Sequence, residues 1–359
     1  MTPHNGPARE ARQERLEPAE GSQRPTEPLA GTIVRVYEVD SPRRLLKRGA
    51  LVAASNWPTI VIQASTDAIF KVVVAVPVVG GIVLAALVIG AEPPALLNLD
   101  VRELMAAVVG LLTARPAPLA AFVAAVSTAV IGASIFAFVV KAGTVATIVE
   151  SERLAGPIEV PPMHFAQVTA VSAFAIERFT GNLARFGPRF VRLGSALLVV
   201  YVLSAAAYLE MVLRLGGALV AALTVAFVAW ITAVNLFYML AQVAIVAGDV
   251  GVGVACMRVG GLLARAWRLV GRVCGFVLAI IAGATIASLL ATAALGFIGF
   301  VPFFWFAVVP LQLLAWVLRG LVFQYITVGA VAAYASIYRL TGPEFGPSWG
   351  PEGELSTPS

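Results

Sequence analysis

The stretch from Ala218 to Ala247 reads ALVAALTVAFVAWITAVNLFYMLAQVAIVA, without one charged side chain. A helix rising about 1.5 Å per residue needs roughly 20 apolar residues to cross a bilayer core of about 30 Å. This stretch exceeds that length, and no soluble surface could solvate it. Its reading sets the reading of its neighbours. Toward the amino end, a turn at Gly216-Gly217 joins it to an apolar run from Leu193 to Leu213. Toward the carboxyl end, an arginine-bearing segment leads to another, from about Val273 to Leu295.

Further out lie a run from about Phe70 to Ala91 and one from Leu119 to Val140, with a helical continuation expected to Val149. The last apolar region, Gly296 to Leu340, is cut by Pro302 and Pro310. It reads as a broken outer segment from about Phe303 to Leu318, then a sixth span from Leu321 to Tyr338. The expected fold is all-α, a polytopic bundle of about six spans. Composition agrees. Apolar residues make up 59% of the 359-residue chain and charged residues 13%, against about 45–50% and 25% in soluble domains.

The segments between spans carry the charge. Pro42 to Ile69 opens with Arg43, Arg44, Lys47 and Arg48 and reads as an interfacial helix kinked at Pro58, preceding the membrane domain of residues 70–340. In the loop from Glu150 to Arg192, Phe165, Val168, Ile176, Phe179, Leu183, Phe186 and Phe190 recur at helical spacing, with Ser172 in the gap. Arg178, Arg185 and Arg189 line the other side. That pattern predicts a basic amphipathic helix along the membrane surface, interrupted near Gly187-Pro188. Residues 1–31 and 341–359 are polar and poor in large apolar side chains, the composition of disordered tails; Thr32 to Val39 alternates weakly, as a short strand would.

Of the 25 Lys and Arg, 21 fall on segments that share one side of the membrane if the amino end lies inside. Only Arg102, Arg115, Arg214 and Arg319 fall on the other. The positive-inside rule then puts both termini in the cytoplasm, of a bacterial inner membrane on this reading. An internal echo supports a repeated unit of surface helix plus hairpin: Arg178, Leu183, Ala184, Arg185 and Arg192 recur in order as Arg258, Leu263, Ala264, Arg265 and Arg272.

One resemblance appears between Val243 and Leu290. A span ends in Val243-Ala244-Ile245-Val246, a turn with Gly251 follows, then a helix with Ala255 and Arg258, then Trp267-Arg268 entering the next span. Together with Val328-Gly329-Ala330 through Tyr334 to Tyr338-Arg339, this resembles a bacterial six-span family grouped with the membrane domain of glycerophosphoryl diester phosphodiesterases. Asp249 stands for the acidic residue that often closes the fourth span there, while Val259-Gly260 replaces a serine that often follows the arginine. The resemblance implies architecture; the phosphodiesterase catalytic domain is absent from this sequence, and its activity does not carry over.

No catalytic pattern emerges. The histidines are His4, in the tail, and His164, after Pro161-Pro162. No His, Cys or carboxylate set has metal-ligand spacing, and Gly251 and Gly253 lack the rest of a phosphate loop. No cofactor is expected, no basic and aromatic alternation points to nucleic acid, and Cys256 and Cys274 read as free thiols. The candidate sites are therefore membrane ones. Thr232, Asn235, Met239 and Gln242 share one face of the fourth span, as interhelical hydrogen-bonding groups or a pathway lining. Thr285, Ser288 and Thr292 form a packing stripe, and Glu210 and Arg214 an i,i+4 pair.

Arg178, Arg185, Arg189, Arg192, Arg258, Arg265, Arg268, Arg272 and Arg319 are candidate contacts for anionic lipid. Two functions stay open: a non-enzymatic, lipid-associated protein of the envelope, alone or as a homo-oligomer, and the permease subunit of an exporter driven by a separate cytoplasmic ATPase.

Overall fold

The computed structural model describes residues 41–89, 116–156, 158, 165–215, 218–299 and 305–341, all in one compact unit, Asp40–Ser359. The expected strand at 32–39, Arg102 and Arg115, His4, His164, the tail at 1–31 and the tail after Thr341 lie outside these residues.

Among the described residues eight helices follow in order: α1 Pro42–Ser55, α2 Trp57–Ile89, α3 Pro116–Leu154, α4 Phe165–Ala170, α5 Ile176–Arg214, α6 Ala218–Ala247, α7 Val252–Gly299 and α8 Trp305–Thr341. Six of them, α2, α3, α5, α6, α7 and α8, are long and apolar enough to cross a membrane. The chain is an all-α, multi-pass transmembrane bundle. Hairpins α2/α3, α5/α6 and α7/α8 close into a ring, with α3 meeting α5, α6 meeting α7 and α8 meeting α2.

Three boundaries differ from expectation. The first break falls at Asn56, not Pro58, because Pro58 sits in the first turn of α2, where a missing amide costs no hydrogen bond. Polar Gln63, Ser65, Thr66 and Asp67 therefore belong to the spanning helix. The amphipathic helix is not interrupted at Gly187-Pro188: α5 runs on through Pro188. Nor is the last region broken between Trp305 and Thr341, where α8 carries Pro310 within its second turn; Pro302 lies outside the described residues. Around Pro188, buried Phe186, Gly187 and Phe190 hold the helix in line where an isolated one would stop. α6, free of proline and glycine, begins and ends where the sequence placed it.

Each hairpin is entered through an amphipathic segment: α1, which ends at Asn56; the first part of α5, which runs unbroken into its span; and the first part of α7, which kinks at Ala266, whose φ of −120° and ψ of 22° are not helical. The correspondence extends to residues. Arg48, Arg178 and Arg258 occupy one position, Trp57 and Trp267 another, and Pro58 and Pro188 a third. In the returning spans, Gly143, Val145, Ala146, Arg153 and Leu154 of α3 match Gly329, Val331, Ala332, Arg339 and Leu340 of α8, and Val243-Ala244 of α6 matches Val145-Ala146.

Packing follows the same register. A Cβ on Gly49, the residue after Arg48, would strike the Gly329 carbonyl. One on Gly143 would lie 2.8 Å from Phe179, the residue after Arg178. Each entry segment thus packs on the returning span of the hairpin before it. It crosses that span obliquely: as α5 passes from Gly194 back to Phe179, its contacts on α3 move only from Phe138 to Gly143.

The buried residues gather at one end, the end that carries the entry segments. Leu45, Val52, Ile148, Phe190, Leu240, Ile245, Leu262, Tyr334 and Ile337 are all buried there. Toward the other end the spans present apolar side chains outward, including Val202, Leu203, Val225, Val228, Ile286 and Leu290. An apolar exposed surface of this extent is what lipid covers.

Candidate functional site

At the packed end an ionic lock joins three elements. On α1, positions Leu45, Arg48, Gly49, Val52 and Ala53 form one buried stripe, which carries Arg48 inward. Its Nε donates to Glu152 Oε1 at 2.7 Å, and its terminal nitrogens donate to the carbonyls of Gly156 and Ala155, each at 2.6 Å. Ser336 Oγ donates to the same carboxylate oxygen at 2.8 Å, and Arg339 lies 3.3 Å from Glu152 Oε2. Beside it, fully buried Asn56 accepts from Ser151 Oγ at 3.1 Å and from the Ala173 amide at 3.2 Å. These contacts tie the first break to α3 and to the approach of α5.

A second ionic group closes the turn between α6 and α7. Asp249, in the left-handed region at φ 48°, accepts from Arg185 at 2.6 Å and from Arg189 at 2.7 Å. The Arg189 guanidinium, followed by Arg185, holds its carboxyl below the usual carboxylate range. Two of the nine candidate arginines are thus engaged by a carboxylate, and Arg258 reaches back to the end of α6 beside Gly248. Arg178, Arg192, Arg265, Arg268 and Arg272 are exposed. Among the described residues none of these five meets a carboxylate; Arg268 rests on the Trp267 ring at 5.6 Å. Arg319 is exposed too, 5.6 Å above the Phe323 ring.

The polar face of α6 separates into two parts. Asn235 accepts from Tyr201 Oη at 2.5 Å, and the same α5/α6 seam holds Trp230 Nε1 to Ser204 Oγ at 3.0 Å and Tyr208 Oη to Thr224 Oγ1 at 2.9 Å. Thr232 bonds to its own helix at the Val228 carbonyl. This upper part joins two helices. Gln242 is fully buried beside Tyr238. Thr285 and Thr292 return their hydroxyls to their own helix, and Glu210 accepts from Arg214 Nε at 2.6 Å.

The polar cavity lies elsewhere, between α2, α3 and α8. A chamber of about 220 Å³ is lined by Gln63, Asp67, Lys141, Thr144, Gln324 and Thr327, among others. Asp67 also borders a more open groove of about 700 Å³ that includes Lys71, Trp316, Arg319 and Phe323. Asp67 pairs with Lys71 at 2.7 Å, and Thr144 donates to Gln63 at 3.2 Å. The Lys141 ammonium lies 4.9 Å above the Tyr238 ring. Sequence reasoning placed Asp67 on an interfacial helix, Lys71 at the start of the first span and Lys141 just past the end of the second. The available signal was spacing: Gln63, Asp67 and Lys71 at successive i,i+4 steps in an apolar helix make a stripe that such a helix rarely carries without a use.

Among the described residues no cluster of His, Cys, Asp and Glu could hold a metal, and both cysteines are free. The arrangement defines a multi-pass helical membrane protein with a basic rim and a charged lateral groove. No family model, curated protein or solved structure matches the chain.

Proposed function

We propose that this is a non-enzymatic protein of a bacterial cytoplasmic membrane, with both termini cytoplasmic, that associates with anionic lipid. The observation that carries this reading is the set of five exposed arginines, Arg178, Arg192, Arg265, Arg268 and Arg272, none of them spent on a carboxylate among the described residues. They sit on α5 and α7 where the entry segments meet their spans, the level at which headgroups lie. Each cation near an anionic leaflet contributes about 1 kcal/mol. Trp57 and Trp267, both exposed at the same breaks, have the amphipathic rings that favour that interface.

The orientation rests on the positive-inside bias. The likeness of residues 243–290 and 328–339 to a bacterial six-span family agrees with the cellular setting. The exporter reading has less support: α4 packs against α1, and the basic segment of α5 crosses α3, so neither projects as a helix that couples to an ATPase must.

The test replaces the five arginines together with glutamine and measures lipid that purifies with the folded chain. Loss of anionic lipid with neutral lipid unchanged is expected. Unaltered anionic lipid, or a stoichiometric nucleotide-binding ATPase in the same preparation, would count against the reading.

A further inference from the structure

Beyond the rim, and resting on the anionic-lipid reading, one site of defined chemistry stands out. We infer that the groove between α2, α3 and α8 holds a single anionic phospholipid, its phosphate beside Lys141 and its acyl body along the wider part of the groove.

Three properties of the groove converge on that occupant. The first is charge. Lys141, Lys71 and Arg319 face it with one carboxylate, Asp67, among them. Asp67 is neutralised by Lys71 at 2.7 Å, so Lys141 keeps its charge for a ligand. Among the described residues its ammonium has no hydrogen bond and no ion pair, only the Tyr238 ring. A half-buried cation in such surroundings gains most from an anion.

The second is hydrogen bonding. Gln63 spends its carbonyl oxygen on Thr144, which leaves its amide hydrogens to donate into the chamber. Gln324 has both ends of its amide to offer. A phosphate needs donors around a charge, and the chamber supplies amide and ammonium groups. Its volume, about 220 Å³, equals roughly seven waters at ~30 Å³ each, enough for a headgroup and too small for a whole lipid.

The third is shape. The chamber meets the larger groove at Asp67, and that groove opens to the side of the bundle between α2 and α8, walled by Val61, Ala68, Val317 and Leu321. Its open flank is a surface that lipid already bathes. A free phosphate ion would fill the chamber and leave the apolar wall unused; a phospholipid uses both.

The experiment uses the full chain purified in mild detergent and native mass spectrometry. Dioleoyl phosphatidylglycerol is the probe, dioleoyl phosphatidylcholine the neutral control, and inorganic phosphate the competitor. The expected result is one phosphatidylglycerol per chain surviving removal of looser lipid. Lys141→Gln should weaken its retention about tenfold or more, the size of a lost charged hydrogen bond; Lys141→Arg should keep it, and Ala68→Trp, which fills the groove, should abolish it. Replacing the five rim arginines should leave this one lipid in place, which separates the groove from the rim.

Equal retention of phosphatidylcholine would overturn the recognition of charge. Displacement by inorganic phosphate as effective as by lipid would overturn the lipid as the ligand. Retention untouched by Lys141→Gln and Ala68→Trp would overturn the site itself, whatever the rim does.

Discussion

Arg48 and Glu152, 104 positions apart in the chain, meet at 2.7 Å with almost no solvent at either side chain. A buried pair adds little stability over apolar replacements, because desolvation offsets most of the attraction. Breaking it is another matter. Glu152→Ala would leave Arg48 charged among carbonyls and Ser336 with only the Ala332 carbonyl as acceptor, and should destabilise the chain by about 3–5 kcal/mol. The double replacement Arg48→Met with Glu152→Leu should recover most of that loss. Unfolding of both variants in detergent, read by denaturant midpoint, checks the prediction.

Glycine contacts rank the interfaces of the entry segments. At Gly49 the obstacle is the backbone carbonyl of Gly329, which cannot turn aside, whereas at Gly143 it is the side chains of Leu183 and Phe179. Gly49→Ala should therefore cost about 3 kcal/mol, the upper end for overpacking, and Gly143→Ala about 1–2 kcal/mol. Thermal unfolding of the two variants should show that order, and the reverse order would show that α1 and α8 approach less closely than described here.

The α5/α6 seam is held by several modest bonds. Tyr201→Phe removes the donor to Asn235 and should cost only about 0.6 kcal/mol, the usual worth of an interhelical hydrogen bond in a membrane. A loss several times larger would mean that Asn235 serves more than adhesion. The same unfolding assay gives the answer.

Asp249 sets a pH dependence with a definite sign. Its carboxyl is held below the ordinary carboxylate value by Arg189 and Arg185. The ionised form is therefore favoured in the folded chain. The contribution is fully present above the unfolded value, about 3.9, and is lost as pH falls through the lower folded value. Hydrogen exchange at residues 247–252 should be flat between pH 6 and 8 once corrected for intrinsic rates. It should rise below about pH 4, and Asp249→Asn should remove that rise. Because the group is exposed, global stability should change little.

How much of this was legible beforehand depends on distance along the chain. The apolar runs alone placed α6, since nothing within it argues for a break. The amphipathic entry segments also followed from spacing, because period and charge are local. The proline signals misled in α5 and α8; at Pro188 the packing of Phe186, Gly187 and Phe190 outweighs the local penalty. The lock escaped entirely. Nothing near Arg48 announces that its partner is Glu152, and an arginine in a basic cluster reads as a surface residue until the buried stripe of α1 is seen.

The groove was hidden for a related reason. Lys141 borders an apolar run and reads as its end, and only the arrangement of α2, α3 and α8 brings it opposite Gln63 and Gln324. The repeat was partly legible: the echo of Arg178 in Arg258 and the Arg43–Arg48 cluster before the first span lay in the sequence, while the register that sets Arg48 itself against them needed the three hairpins.

The central claim is that the end bearing the entry segments and their arginines meets cytoplasmic headgroups. Single cysteines at Arg178 and Arg265, in a chain whose Cys256 and Cys274 have been changed to alanine, test it most directly. With an impermeant thiol reagent, both positions should stay unlabelled in intact cells and react fully once the membrane is opened. Labelling in intact cells would contradict the account.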